Sequence, residues 1–222
     1  MTSIDTIVVP DGAEYQAVCR GVKKASSKIR VVPIALGTKN ITAILRDRNI
    51  NLESINRLLI VGLCGSLDAN YSFGDVVVYQ SCINLDCQEV SLESELTTTV
   101  RDKLAVDLVV GITSDRIISN IEEKLQLAQT YSANVVDMEG YDCVKQLQAN
   151  NITVAILRVV SDDLSGDIPD LSKAFDRDGN LKPLAMATAF LKQPIAAWRL
   201  IRGSLTGLKV LEESIYRLII SF

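Results

Sequence analysis

The chain of 222 residues contains no histidine. That absence removes the Ser-His and Cys-His nucleophile systems, the histidine general bases and most zinc sites together. A CxxC pair is also missing: Cys19, Cys64, Cys82, Cys87 and Cys143 are scattered through apolar sequence. An odd number of cysteines without metal-ligand spacing reads as reduced, buried thiols, so no metal is expected. There is no basic excess, the net charge being −4. The densest cluster, Arg20, Lys23, Lys24, Lys28 and Arg30, fits the solvated face and end of one helix. A nucleic-acid footprint needs more, and no nucleic-acid partner is expected. No uninterrupted apolar run reaches the roughly 18 residues a membrane span needs. The opening Met-Thr-Ser-Ile-Asp-Thr lacks the basic region of a signal peptide. A cytoplasmic location is the expectation.

What the chain does have is apolar surface, with 48% hydrophobic residues and a mean hydropathy of +0.22. Part of it is expected to lie between subunits, most simply in a homodimer. The length suits one sizeable core, and residues 1–222 read as a single domain.

Strand-like and helix-like stretches alternate. Ile4 to Val9, Arg30 to Leu36, Arg57 to Val61, Gly74 to Val78, Asp107 to Ile112, Asn134 to Asp137 and Ile152 to Arg158 read as strands. Cys82 to Leu85 reads as a further strand, adding an antiparallel portion. Gly12 to Lys24, Thr38 to Arg48 and Met138 to Ala149 carry helical spacing. Ser119-Asn120-Ile121-Glu122 matches a capping box, opening a helix to about Tyr131. Ser165 to Asp170 and Asp176 to Gly179 are turn-rich. From Leu181 onward the pattern is helical, interrupted by Pro194 and Gly203. The alternation predicts a three-layer α/β/α domain around a central mixed sheet.

Two apolar runs end in acidic motifs, Val135-Val136-Asp137-Met138-Glu139-Gly140 and Ile156-Leu157-Arg158-Val159-Val160-Ser161-Asp162. In an α/β sheet, the carboxyl edge of the strands is where ligands bind. Carboxylates on neighbouring strands suit holding a sugar and cleaving a glycosidic bond. Glu14 stands at the opening turn of the first helix, where the helix dipole alone favours an acid. Gly62-Leu63-Cys64-Gly65-Ser66 reads as a strand-to-loop turn that brings the backbone close to a ligand.

Taken in order, Glu14, Gly62-x-Cys64-Gly65-x-Leu67, Gly74-Asp75-Val76-Val77, Asp137-Met138-Glu139 and Arg158-Val159-Val160-Ser161-Asp162 resemble one group of enzymes. The chain is similar to the purine nucleoside phosphorylase and nucleosidase superfamily. Within it, the similarity is greatest to the methylthioadenosine/S-adenosylhomocysteine nucleosidases, over about residues 4 to 165. The tail, with Ile168-Pro169, Asp176-x-Asp178-Gly179 and Lys192-x-Pro194, resembles the hopanoid-associated nucleosidases. The resemblance implies a nucleoside phosphorylase-like fold, a small-molecule nucleoside substrate and no cofactor. It implies that Asp162, a carboxyl group kept protonated by partial burial, assists departure of the purine at N7. Ser161 would orient Asp162, and Gly65 would admit the ligand. Glu139 would bind the ribose hydroxyls with Met138 packed on the sugar, and Glu14 would polarise water on the opposite face. Arg158 matches a position near the site without a catalytic step.

The departures bear on the reaction. Family phosphorylases hold phosphate with an arginine before the glycine motif and a serine inside it; Ile60 and Leu63 occupy those places. Burying a phosphate dianion against apolar side chains is costly, which favours hydrolysis. The nucleosidases' aromatic against the base is replaced by Ile117 or Ile118, with Arg116 beside them. A phosphorylase whose phosphate site uses Arg116, and a relative that binds nucleosides without turnover, remain as alternative readings. Residues 196 to 222 read as core or dimer helices, or as an apolar lid for a lipid-linked nucleoside.

Overall fold

The structure is a computed structural model that describes residues 4–92, 94–171, 173–174 and 182–222. Its elements are β1 (Thr6–Pro10), α1 (Ala13–Lys24), β2 (Arg30–Ile34), α2 (Ile41–Asp47), β3 (Arg57–Ser66), β4 (Val76–Asn84) and β5 (Glu89–Ser91). They continue with α3 (Glu95–Leu104), β6 (Asp107–Thr113), α4 (Ile121–Tyr131), β7 (Val135–Asp137), α5 (Gly140–Gln148), β8 (Thr153–Asp162), α6 (Pro183–Lys192) and α7 (Pro194–Ile220).

The sheet is mixed. β1 pairs in parallel with β2 and β3, β3 with β8, and β6 with β4 and β7. The pairs β3–β7, β4–β5 and β4–β8 are antiparallel. Pairing therefore runs in a closed ring through β3, β8, β4, β6 and β7, with β2 and β5 left as edges. Closure satisfies both backbone edges of the strands that carry the site.

Alternation along the strands fills two cores. Leu58 and Ile60 of β3, with Val154 and Ile156 of β8, face Ile41 and Leu45 of α2 and Val144 and Leu147 of α5. Their neighbours Leu59, Val61, Ala155 and Leu157 face Val18 of α1, Val100 of α3 and Leu211 and Ile215 of α7. Each such side chain contributes about 1.5–3 kcal/mol by leaving water. The expected three-layer arrangement thus follows from strands buried on both faces.

Several local expectations change. Gly62 to Gly65 is no turn but part of the ten-residue β3. Gly203 does not interrupt α7: a Cβ there would collide with the Ser161 carbonyl, so glycine marks where the helix presses on the end of β8. Pro194 does divide α6 from α7. The N-cap of α4 is Asn120, not Ser119; its side chain accepts from the Glu123 amide at 3.2 Å. Asparagine serves as well as serine there. Helix α3 had no counterpart in the sequence reading, although Ser94 caps it by accepting from the Thr97 amide. Cys64, Cys82 and Cys143 are buried, whereas Cys87 is exposed in a turn. The Asp176 to Gly179 turn and Leu181 lie outside the described residues.

Candidate active site

A cavity of about 150 Å³ opens at the ends of β1, β3, β7 and β8. Glu14, Gly65, Ile117, Ile118, Met138, Glu139, Ser161 and Asp162 all line it. Every site residue expected from the sequence therefore meets in one place.

At one end stands Asp162. Consecutive strand residues normally point to opposite faces, yet Ser161 and Asp162 both reach the cavity. The cause is a bulge: Cys64 pairs with Val160, but Gly65 pairs with Asp162, leaving Ser161 as the extra residue. A bulge of this kind re-aims side chains. Ser161 Oγ then donates to the Cys64 carbonyl or to Asp162 Oδ2, at 3.2 and 3.1 Å. Gly65 is required because a Cβ would sit 2.9 Å from Asp162 Oδ1.

Asp162 does not sit alone in an apolar niche. The Lys124 ammonium forms an ion pair with Asp162 Oδ1, with the two side chains 2% and 11% exposed. Lys124 was missed because Glu122-Glu123-Lys124 looks like a solvated helix start. A signal existed: Lys124 lies three, four and seven residues before Leu127, Ala128 and Tyr131, the residues of α4 that pack inward. A lysine on an apolar stripe is a buried charge in search of a partner.

At the other end, Glu14 accepts from the Leu63 amide at 2.6 Å. Burial pushes its carboxyl up to about 7, against the pull of that hydrogen bond and with the Glu139 charge adding to the rise. Glu139 accepts from the Gly37 amide at 2.8 Å and from Arg158 Nη2 at 3.2 Å. Burial raises its carboxyl also, opposed by the Arg158 charge. Gly37 has φ +71°, and a Cβ there would lie 3.6 Å from the Met138 methyl.

Arg158 lies beneath this end, fully buried, and donates from Nη2 to Asp137 at 2.9 Å as well as to Glu139. Asp137 is further held by the Thr113 hydroxyl at 2.7 Å and the Gly140 amide at 3.0 Å. Asp137 therefore ties β6, β7, α5 and β8 together, and both it and Glu139 line the cavity. Gly62 leaves room for this: a Cβ would collide with Arg158 Nη1 and come within 2.9 Å of Glu14 Oε1.

Of the two places matched to family phosphate contacts, Leu63 lines the cavity and Ile60 does not, being part of the α2–α5 core. Arg116 lines the cavity too, but its guanidinium is engaged by both carboxylate oxygens of Glu123. The remaining wall is apolar, formed by Leu36, Ile168, Leu171 and Leu200.

An α/β domain with carboxylates gathered at the carboxyl ends of its strands is the class this geometry defines. Residues 17–192 match the family model of the phosphorylase superfamily, and the chain belongs to that superfamily. Among solved structures, it is similar to futalosine hydrolase of Helicobacter pylori, with a TM-score of 0.70, 11% identity and 98% and 97% of the two chains covered. It is equally similar to a 5′-methylthioadenosine/S-adenosylhomocysteine nucleosidase from Colwellia psychrerythraea in complex with adenine, with a TM-score of 0.70, 12% identity and coverage of 98% and 95%. The apo 5′-methylthioadenosine nucleosidase of Arabidopsis thaliana gives a TM-score of 0.68, 14% identity and coverage of 99% and 96%. No curated protein shows a significant sequence match.

Proposed function

We propose that the chain, as a single domain over residues 1–222, hydrolyses the N-glycosidic bond of a purine nucleoside and releases free base and free sugar. The substrate class is adenosine-type with a 5′-substituent. The observation that carries this reading is the meeting of Glu14, Glu139 and Asp162 in one cavity. The nucleosidase and hydrolase names of the similar structures are in keeping with it.

Cleavage passes through an oxocarbenium-like ribose and needs a purine protonated at N7 to leave. Asp162 faces N7, oriented by Ser161, and the Lys124 ammonium supplies the proton that Asp162 passes on. Ile117 and Ile118 pack on the base, and Met138 packs on the sugar. Glu139 accepts from the 2′- and 3′-hydroxyls. Glu14 takes the proton from the attacking water, whose oxygen bonds to C1′ as the C1′–N9 bond breaks. A carboxyl poised near 7 suits a general base at neutral pH. The proton gained by the base and the one lost by water balance.

Hydrolysis is favoured over phosphorolysis by charge. Asp137 and Glu139 both pair with the buried guanidinium of Arg158, so an added phosphate dianion competes with two carboxylates already on that cation. The decisive assay follows turnover of adenosine-type nucleosides with and without phosphate. Free base and free sugar are expected at a rate indifferent to phosphate; accumulation of ribose 1-phosphate at a phosphate-dependent rate overturns hydrolysis.

The same reading includes a cytoplasmic homodimer. Its support is apolar surface near α4, where Leu125 and Leu85 are exposed and the Tyr131 hydroxyl donates to the Leu85 carbonyl at 3.0 Å.

A further inference from the structure

Six of the nine large hydrophobic side chains exposed among the described residues fall between Leu184 and Leu205. Leu184 is 86% exposed, Leu191 83% and Trp198 60%. No residue of α6 is buried. On α7, Ile195, Trp198, Arg202, Leu205 and Lys209 recur at spacings of three and four and share one exposed stripe. Ala197, Gly207 and Leu211, on the opposite side of the helix, are buried.

The charge of this stretch is as unusual as its hydrophobicity. Lys182, Lys192, Arg199, Arg202 and Lys209 punctuate it, and no Asp or Glu occurs from Lys182 to Leu211, in a chain of net charge −4. None of the five basic residues pairs with a carboxylate among the described residues. Arg199 donates to the Asp167 carbonyl, and Arg202 stacks between Phe73 and Trp198. The far half of α7 behaves ordinarily: Glu212 and Glu213 pair with Arg20 and Lys24 of α1. The anomaly is confined to α6 and the first half of α7.

We propose that this face is a docking surface for an anionic lipid bilayer, with the Leu, Ile and Trp side chains inserted at the headgroup boundary and the basic residues on lipid phosphates. Apolar side chains flanked by Lys and Arg, with Trp at the boundary, are what interfacial binding uses. Among the described residues no helix is long and apolar enough to cross a membrane, so the proposed contact is peripheral. A second copy of the chain fits poorly, because a twofold contact sets the basic residues of Lys182 to Leu211, a stretch without an acid, against themselves. Nucleic acid fits poorly too, since phosphate contacts leave the exposed leucines unburied. The inference rests on this surface alone and stands whatever the cavity turns over.

Trp198 is the only tryptophan, so its emission reports insertion directly. The full chain should co-sediment with equimolar phosphatidylglycerol and phosphatidylcholine vesicles and show a blue-shifted emission. Pure phosphatidylcholine should bind it more weakly, and high salt should release it. The double variant Leu184→Asp/Leu191→Asp, altered at exposed positions and checked for an unchanged circular dichroism spectrum, should lose both signals. Arg202→Gln should weaken partitioning roughly fivefold. Unmoved emission with the protein left in the supernatant of anionic vesicles overturns the proposal. So does a lipid-free dimer that Leu205→Asp dissociates, or duplex DNA binding that the double aspartate variant leaves intact.

Discussion

The two ends of the cavity hold carboxylates against a buried cation, in opposite proportion. At one end, where the proposal puts the base, Asp162 meets the Lys124 ammonium one to one. At the other end, where the proposal puts the sugar, Asp137 and Glu139 pair with Arg158, and Glu14 lies within reach of their charges. In the proposed reaction this balanced pair is the side from which the proton comes. A cluster with surplus negative charge resists ionisation, and Glu14, pushed up to about 7, is ready to take one. The same residue types are thereby divided into donor and acceptor by their partners, without a histidine.

The sharpest way to break this contrast is Glu14→Gln, which should reduce turnover by about 10²- to 10⁴-fold with the fold retained. In the parent enzyme kcat/KM should rise with pH through about 7, because the base works ionised. Stability carries the opposite sign. The folded carboxyl keeps its proton up to about 7 and the unfolded one releases it near 4.5, so folding takes up a proton in between and stability falls as pH rises. Glu14→Gln should then raise the Tm at pH 8 and not at pH 4, by a stability difference on the order of 3 kcal/mol at most. A variant with near-parent kcat and a flat pH profile removes Glu14 from the reaction.

At the other end, Asp162→Asn should cost a similar factor, about 10²-fold or more, in kcat. Lys124→Met should cost less, about tenfold or ~1.4 kcal/mol in the barrier, with KM little changed. Lys124→Arg, which keeps a positive charge beside Asp162, should recover most of that loss. A kcat per folded molecule that Lys124→Met leaves unchanged assigns Lys124 to packing alone.

The smallest effect tests the sugar contacts. Glu139→Gln should weaken turnover of ribosides more than of 2′-deoxyribosides, where one hydroxyl partner is already absent. Equal losses on both substrates would mean that Glu139 does not read the 2′-hydroxyl.

Much of this was legible before any coordinates. The periodicities of the strands and of α1, α2, α4 and α5 followed the chain, because each depends on neighbours a few residues away. Glu139 and Asp162 stand out because they follow apolar strand-like runs, and Glu14, which the helix dipole alone explains, only in their company and through the family resemblance. Gly62, Gly65 and Gly203 were misread as turns or breaks. Glycine signals either a turn or a close approach, and only the neighbour arriving from elsewhere, Arg158, Asp162 or the Ser161 carbonyl, distinguishes them. Lys124 and Ile60 were misplaced for a related reason: the face a side chain takes depends on what packs there.

The sequence by itself determined the alternating α/β pattern, the absence of histidine chemistry and the carboxylates available to replace it. Those follow from composition and short-range spacing. Only the tertiary structure decided which carboxylate meets which cation, since Lys124 and Asp162 are separated by 38 residues and Asp137 and Arg158 by 21. It also decided that a bulge turns Ser161 and Asp162 into one cavity, and that α6 and half of α7 are left uncovered. Burial and pairing across such separations are properties of the packed chain, and they set the charge states on which the chemistry depends.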